Sequence, residues 1–390
     1  MDWRQGPADL PAQPVYVLRG HTAQVHAVHF LRQNLRLLSG DADGWVVLWN
    51  VPIKRAVAVW RAHKGAVLGL ESWDDDRIIT HGRDNRLCVW RLRGEDEGNL
   101  STTLPIENSE SERKDPWLLH SLPVNALNFC SFATCRVPVP EENTDPENPS
   151  TEELLVAVPG VQDGHINVTS LPSEERVATI LDPKDIKTGM VMAIGLHYPD
   201  NNRLHVIAGY ESGYVCIFAE STTATKQWQA IYTHKSHTQP VLSLNVSPLA
   251  GHFYSSSADD ILARHFFTPD RTVEPKAVRT KHAGQQSLAV RPDGRIFATA
   301  GWDGRVRVYS AKTMKELAVL KWHKEGVYAV AFATGQDDDD DDDAAADSGD
   351  GMAVGKREMT VSEQRVRKTK ETHWLAAGSK DGKVSLWDVY

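Results

Sequence analysis

The chain has 390 residues, 41% of them hydrophobic, and a formal net charge of −9. That length buries a large core, as one big all-β domain or as two or three smaller ones, and the negative balance argues against non-specific affinity for nucleic acid or anionic membrane. The four cysteines, Cys88, Cys130, Cys135 and Cys216, form no C-x-x-C pair, so neither a disulfide framework nor a zinc site is expected and a reducing compartment fits best. No run approaches the ~18 apolar residues of a membrane span, and the first residues lack the charged-then-apolar design of a secretion signal. A soluble intracellular protein is expected.

After a leader at 1–14, Val15 to Leu18 reads as a short strand followed by Gly20-His21. Then come strands at Val25 to Phe30, Leu35 to Gly40 and, across the Asp43-Gly44 turn, Val46 to Trp49. The phrase returns at once with His63, Val67 to Leu70, Arg77 to Thr80, Asp84 and Leu87 to Trp90. In both copies an Asp stands four residues after a Ser or Thr and six before a Trp, which marks an internal repeat. A third copy, with strands at Val124 to Phe129, Leu154 to Val158 and Ile166 to Thr169, loses the Trp and the Gly-His. A fourth has Ser212 where the Asp should be. The fifth recovers His237 and Asp259 but ends on His265; the sixth has His282, Thr299, Asp303 and Tyr309; the seventh has His323, Asp381 and Trp387.

A four-stranded sheet of this kind cannot bury both faces alone, and a ring of such sheets around a channel can. The chain ends just after the third strand of the seventh copy, and Val15 to Leu18 has no sheet of its own. The economical solution is a seven-bladed β-propeller over 15–390, with the N-terminal strand completing the last blade and covering its open edge.

The recurring polar residues admit two readings. Ser39, His21 and Asp43 have the composition of a nucleophilic triad. The other reading is a buried network, Trp49 to Ser39 to His21 to Asp43, repeated as Trp90, Thr80, His63 and Asp84, and in part as His237 with Asp259, His282 and Thr299 with Asp303, and His323 with Asp381 and Trp387. Recurrence favours the network, because a catalytic constellation occurs once. No Gly-rich phosphate loop, metal-ligand spacing or unrepeated acid/base pair is present, so neither catalysis nor a cofactor is expected.

Three insertions, at 93–116, 133–153 and 334–373, carry net charges of −4, −5 and −6 and leave +6 on the rest of the chain. Alternating strand direction sends all three out of one face of the disc. The third holds the run Asp337 to Asp343, then Lys356-Arg357 and Arg365 to Lys370, and reads as a disordered polyampholyte. A tether for basic partners such as histones, with a weak nuclear import signal, is the alternative. On the opposite face the residues before the turn Asp positions form a ring: Ala42, Arg83, Gln162, Glu211, Ala258, Trp302 and Lys380. Within it Arg83, Glu211, Trp302 and Lys380, with Trp322 nearby, are candidate partner-binding residues, since a large exposed aromatic at a turn tip calls for a covering partner.

The repeats identify the chain as a member of the WD-repeat class. Arg83 to Leu92 (RDNRLCVWRL), Val156 to Gly160 (VAVPG), Ala208 to Val215 (AGYESGYV), Arg291 to Tyr309 (RPDGRIFATAGWDGRVRVY) and Leu375 to Trp387 (LAAGSKDGKVSLW) together resemble the fungal ASTRA-associated protein 1 family and its animal counterpart, guanine nucleotide-binding protein β-subunit-like protein 1. The resemblance implies a non-enzymatic scaffold subunit of the chromatin-linked ASTRA complex. It supports chromatin remodelling and, through a cochaperone, maturation of phosphatidylinositol-3-kinase-related kinases. Its partners are protein subunits, with neither nucleic acid nor membrane contacted directly, and its place is the nucleus, the cytoplasm remaining open. A ubiquitin-ligase substrate receptor and a histone reader are the competing readings.

Overall fold

Blade one shows how the repeat folds. Its inner strand Val25–Leu31 and the strands Arg36–Asp41 and Trp45–Asn50 bury almost every residue, while the outer strand Arg55–Arg61 starts at the surface and sinks inward. β-branched and aromatic side chains suit this pleated, doubly covered position. Gly44 turns the chain at a φ of +87°, and a Cβ there would overlap the His63 carbonyl of the next loop, so only glycine fits.

The computed structural model describes residues 12–107, 113–126, 129–138, 153–199, 203–221, 227–249, 251–267, 273–334 and 359–389. They form seven four-stranded antiparallel sheets, spanning 25–61, 67–123, 133–180, 191–235, 241–279, 285–321 and, for the last, 327–388 together with the N-terminal strand. The chain is a seven-bladed β-propeller. In blade seven Tyr16–Arg19 pairs with Lys383–Asp388, Tyr16 opposite Leu386 and Arg19 opposite Lys383. Leu18 is buried in the cluster of Val25, Trp49, Trp374 and Leu386 that joins blades seven and one, so the seam between the two ends of the chain is packed like any other blade interface.

Two expectations are corrected. The inner strand of blade three is Ala133–Arg136, inside the stretch expected to be an insertion, and not Val124 to Phe129. The segment before it plugs the gap against blade two instead: Val124 and Ala126 donate to Asn85, and Ser131 and Phe132 sit where a Cβ on Gly69 would go. The first insertion leaves from the expected face, where Glu97 takes Arg32 and Arg36 (2.7 and 2.8 Å from Arg36), but then climbs the rim of blade one. Val59 on that blade's outer strand donates to the Ser101 carbonyl, Leu104 packs beside Gly20, and Arg113 lies 4.3 Å from the Trp45 ring. It thereby covers an open strand edge.

The third insertion contains a helix, α1 (Val361–Glu371), where a disordered loop was expected. Thr360 and Glu363 close a capping box, and the Trp374 indole donates to the Thr369 carbonyl, tying the last turn to blade seven. Residues 1–11, Asp337 to Asp343 and Lys356-Arg357 lie outside the described residues.

Candidate protein-docking face

The polar residues of the repeat lock into sealed chains of hydrogen bonds. In blade one the Trp49 indole donates to the Ser39 hydroxyl (2.8 Å), Ser39 donates to His21 Nε2 (2.7 Å), and His21 Nδ1–H donates to a carboxylate at 2.6 Å. That carboxylate belongs to Asp41, not Asp43. Asp41 also accepts from the backbone N–H of Asp43 and Trp45, and the Asp43 side chain faces solvent. Blade two follows the expected pattern, with Trp90 on Thr80 (2.9 Å), Thr80 on His63 (2.7 Å) and His63 on Asp84 (3.0 Å).

Blades five and seven make the same circuit with other residues. In blade five His265 takes the place of the Trp, 2.8 Å from Ser255, which also meets His237 at 2.8 Å; His237 stands 3.3 Å from Asp259. In blade seven the hydroxyl has crossed strands: Ser385, directly opposite Ala377, joins Trp387 to His323, each at 2.8 Å, and His323 lies 3.3 Å from Asp381. Blade six abandons the circuit. His282 is half-exposed and 4.0 Å from Asp303, whose carboxylate is held by the buried Arg307 guanidinium at 2.5 and 3.1 Å, and Thr299 donates to Gln285 (2.6 Å). Arg307 lies directly opposite Thr299, so the charge too has moved to the facing strand.

Blades three and four carry no such circuit among the described residues. They share an apolar cluster instead, including Ile166, Val168, Tyr210, Cys216 and Phe218, so lost polar chains are replaced by buried surface.

The Asp41–His21–Ser39 distances would suit a nucleophilic triad, yet Ser39 and Asp41 are wholly buried and the Ser39 hydroxyl is already occupied by Trp49 on one side and His21 on the other. Nothing can reach it. Burial also lowers the pKa of His63 against the pull of Asp84, which keeps the ring neutral and the circuit in one tautomer. Burial alone would raise Asp259 and Asp381, but the His237 and His323 rings and backbone N–H groups or Lys383 bring both down to about 2.

Exposed chemistry gathers elsewhere, on the face of the turn tips. A cavity of about 490 Å³ opens there at the channel mouth. Its wall includes His26, Phe129, Phe132, Trp302 and Tyr328 from four blades or their connecting segments. Trp302 is 47% exposed and Phe129 52%. The Trp302 ring is pinned: its indole N–H donates to Gln286 (2.8 Å), and its face covers Gly284, where any Cβ would overlap it. Arg83 lies 4.3 Å over the Phe129 ring. His26 packs edge-on to Tyr328 at 5.5 Å, and its pKa is lowered by burial first and by Arg83, against Asp41. Lys380 donates its backbone N–H to the carbonyl of Gly326, a glycine that lies against Trp302 and Tyr328, and Glu211 accepts from the Met190 N–H (3.3 Å). Trp322, by contrast, turns to its own blade, 4.9 Å from the His323 ring and 5.7 Å from the Lys383 ammonium. Of the five candidate residues, four therefore stand on this face and the fifth is spent on packing.

Repeats of the WD domain, G-beta repeat family match at residues 12–50, 274–310 and 366–388. A protein of Aspergillus flavus, ASTRA-associated protein 1, is 46% identical over 97% of this chain and 98% of its own length. The chain belongs to the ASTRA-associated protein 1 family. The member from Penicillium rubens is 44% identical across all of both chains, and the one from Schizosaccharomyces pombe is 35% identical over 97% of this chain and 99% of its own. These similarities take in nearly the whole of this chain and of each relative.

Proposed function

We propose that this ASTRA-associated protein 1 homologue is a non-enzymatic scaffold subunit of the chromatin-linked ASTRA complex. It acts in the nucleus, in chromatin remodelling and in cochaperone-dependent maturation of phosphatidylinositol-3-kinase-related kinases. One observation carries the reading: the Ser or Thr, His and Asp groups of blades one, two, five and seven are locked into circuits inside the blades, while a pinned Trp302 and an exposed Phe129 stand at the channel mouth. Such a surface suits protein docking. The exposed Arg365, Arg367 and Lys368 of α1 favour nuclear import. Affinity purification of the tagged chain from fungal nuclei, read by mass spectrometry, tests this. ASTRA subunits and kinase-maturation cochaperones are expected; a ubiquitin-ligase adaptor, or histones without those subunits, would reject it.

A further inference from the structure

The channel mouth has a chemical character that narrows its occupant. Among the described residues no carboxylate lines the cavity, whose polar groups are hydroxyls, amides, the Trp302 indole N–H and the neutral His26 ring. A lysine or arginine entering it would shed its hydration with no counter-charge to meet it. A methylated lysine would need free aromatic faces, and the Arg83 guanidinium already occupies that of Phe129 and repels a second cation. An apolar guest suffers neither loss.

Charge at the rim points the same way. Arg83 and Lys380 are exposed, Arg83 lies over the Phe129 ring of the wall, Lys380 is joined through its backbone N–H to Gly326, two residues before Tyr328, and neither cation forms an ion pair among the described residues. Across the mouth the one acidic member of the turn-tip ring, Glu211, is engaged with the Met190 N–H. An acidic segment would therefore lie toward blades two and seven and away from blade four.

We propose that the channel mouth takes an acidic linear peptide of a partner subunit, which seats one apolar or aromatic side chain between Phe129, Tyr328 and Trp302 and sets its carboxylates on Arg83 and Lys380. The proposal rests on the reading of this face as a protein-docking surface and names the partner's chemistry. Because Trp302 is fixed by Gln286 and Gly284 before any ligand arrives, little ordering accompanies binding at that wall. The cations supply orientation, faster encounter and a dependence on salt.

The test is a phage-displayed random dodecamer library panned on the full chain, with Phe129→Ala and the double variant Arg83→Glu, Lys380→Glu as counter-selections. Peptides enriched on the parent are expected to hold several Asp or Glu around one Leu, Phe or Trp. A synthetic copy should bind at least tenfold more weakly to either variant and more weakly as salt rises, with the variants' thermal midpoints unchanged. Enrichment of basic peptides, of peptides indifferent to both variants, or of none at all overturns the proposal. Purification of the parent from nuclei separates the two readings: if ASTRA subunits co-purify while panning fails, only the peptide mode falls, and if they do not, the scaffold reading falls.

Discussion

His81, in the second strand of blade two, offers the sharpest physical test of the fold's energetics. Its ring is wholly buried, packs edge-on to Phe132 at 6.1 Å, and leaves both nitrogens without a hydrogen-bond partner among the described residues. Burial, then the neighbouring His63 ring, push its pKa down from 6.5 to about 3 against Asp84. The unfolded chain therefore binds a proton below pH 6.5 that the folded chain refuses, so stability falls as pH drops from 6.5 towards 3. At pH 4.5 the gap is two pH units, which amounts to about 2–3 kcal/mol from this one residue. His81→Leu keeps the volume and removes the nitrogens. Urea unfolding followed by tryptophan fluorescence should show it as stable as the parent at pH 7.5, or up to ~2 kcal/mol better because no unpaired polar atom remains buried. Its loss of stability on going to pH 4.5 should be smaller by about 2 kcal/mol. An identical acid loss in both proteins would refute the reasoning.

Other consequences concern the polar circuits and the seam. Asp41→Asn should lower stability by about 2 kcal/mol, since His21 and two backbone N–H groups lose a charged acceptor, while Asp43→Asn stays within ~0.5 kcal/mol; the reverse order in thermal unfolding would restore Asp43 to the network. Ser385→Ala should cost about 2 kcal/mol by orphaning Trp387 and His323, and adding Ala377→Ser should recover part of it, because the hydroxyl returns to the strand that carries it in blades one and two. Deleting residues 1–19 exposes the edge of Lys383–Asp388 and empties the place of Leu18, so the thermal midpoint should fall by several degrees. A truncated protein melting with the parent would contradict closure through that strand.

Much of this architecture was legible because it repeats. The spacing of Ser or Thr, Asp and Trp in the first two copies revealed the blade, and the unpaired Val15 to Leu18 revealed the closure. What escaped notice was substitution through space. Ser385 completes its circuit from the strand facing Ala377, and Arg307 holds Asp303 in place of a circuit from the strand facing Thr299, a relation that a one-dimensional spacing does not contain. Asp41 took over from Asp43 by sitting two residues nearer the strand, in a copy whose motif looked complete. The α1 helix was readable: Thr360 and Glu363 have the spacing of a capping box, but the charge runs around them pointed to disorder. The channel mouth was legible only in part, since Trp302 and Arg83 mark the turn tips, whereas Phe129 reaches the cavity because its segment is a plug and not the strand its alternation suggested.

The central claim is that the turn-tip face, and not the insertion-bearing face, holds the partners. Parallel purifications of the parent, of Arg83→Glu with Trp302→Ala and Lys380→Glu, and of Asp75→Lys with Asp76→Lys on the opposite face compare the two directly. The first variant should recover at least tenfold less of the ASTRA subunits at an unchanged expression level, and the second should recover them as the parent does. Loss of the subunits from the second variant alone would place the docking surface on the other side of the disc.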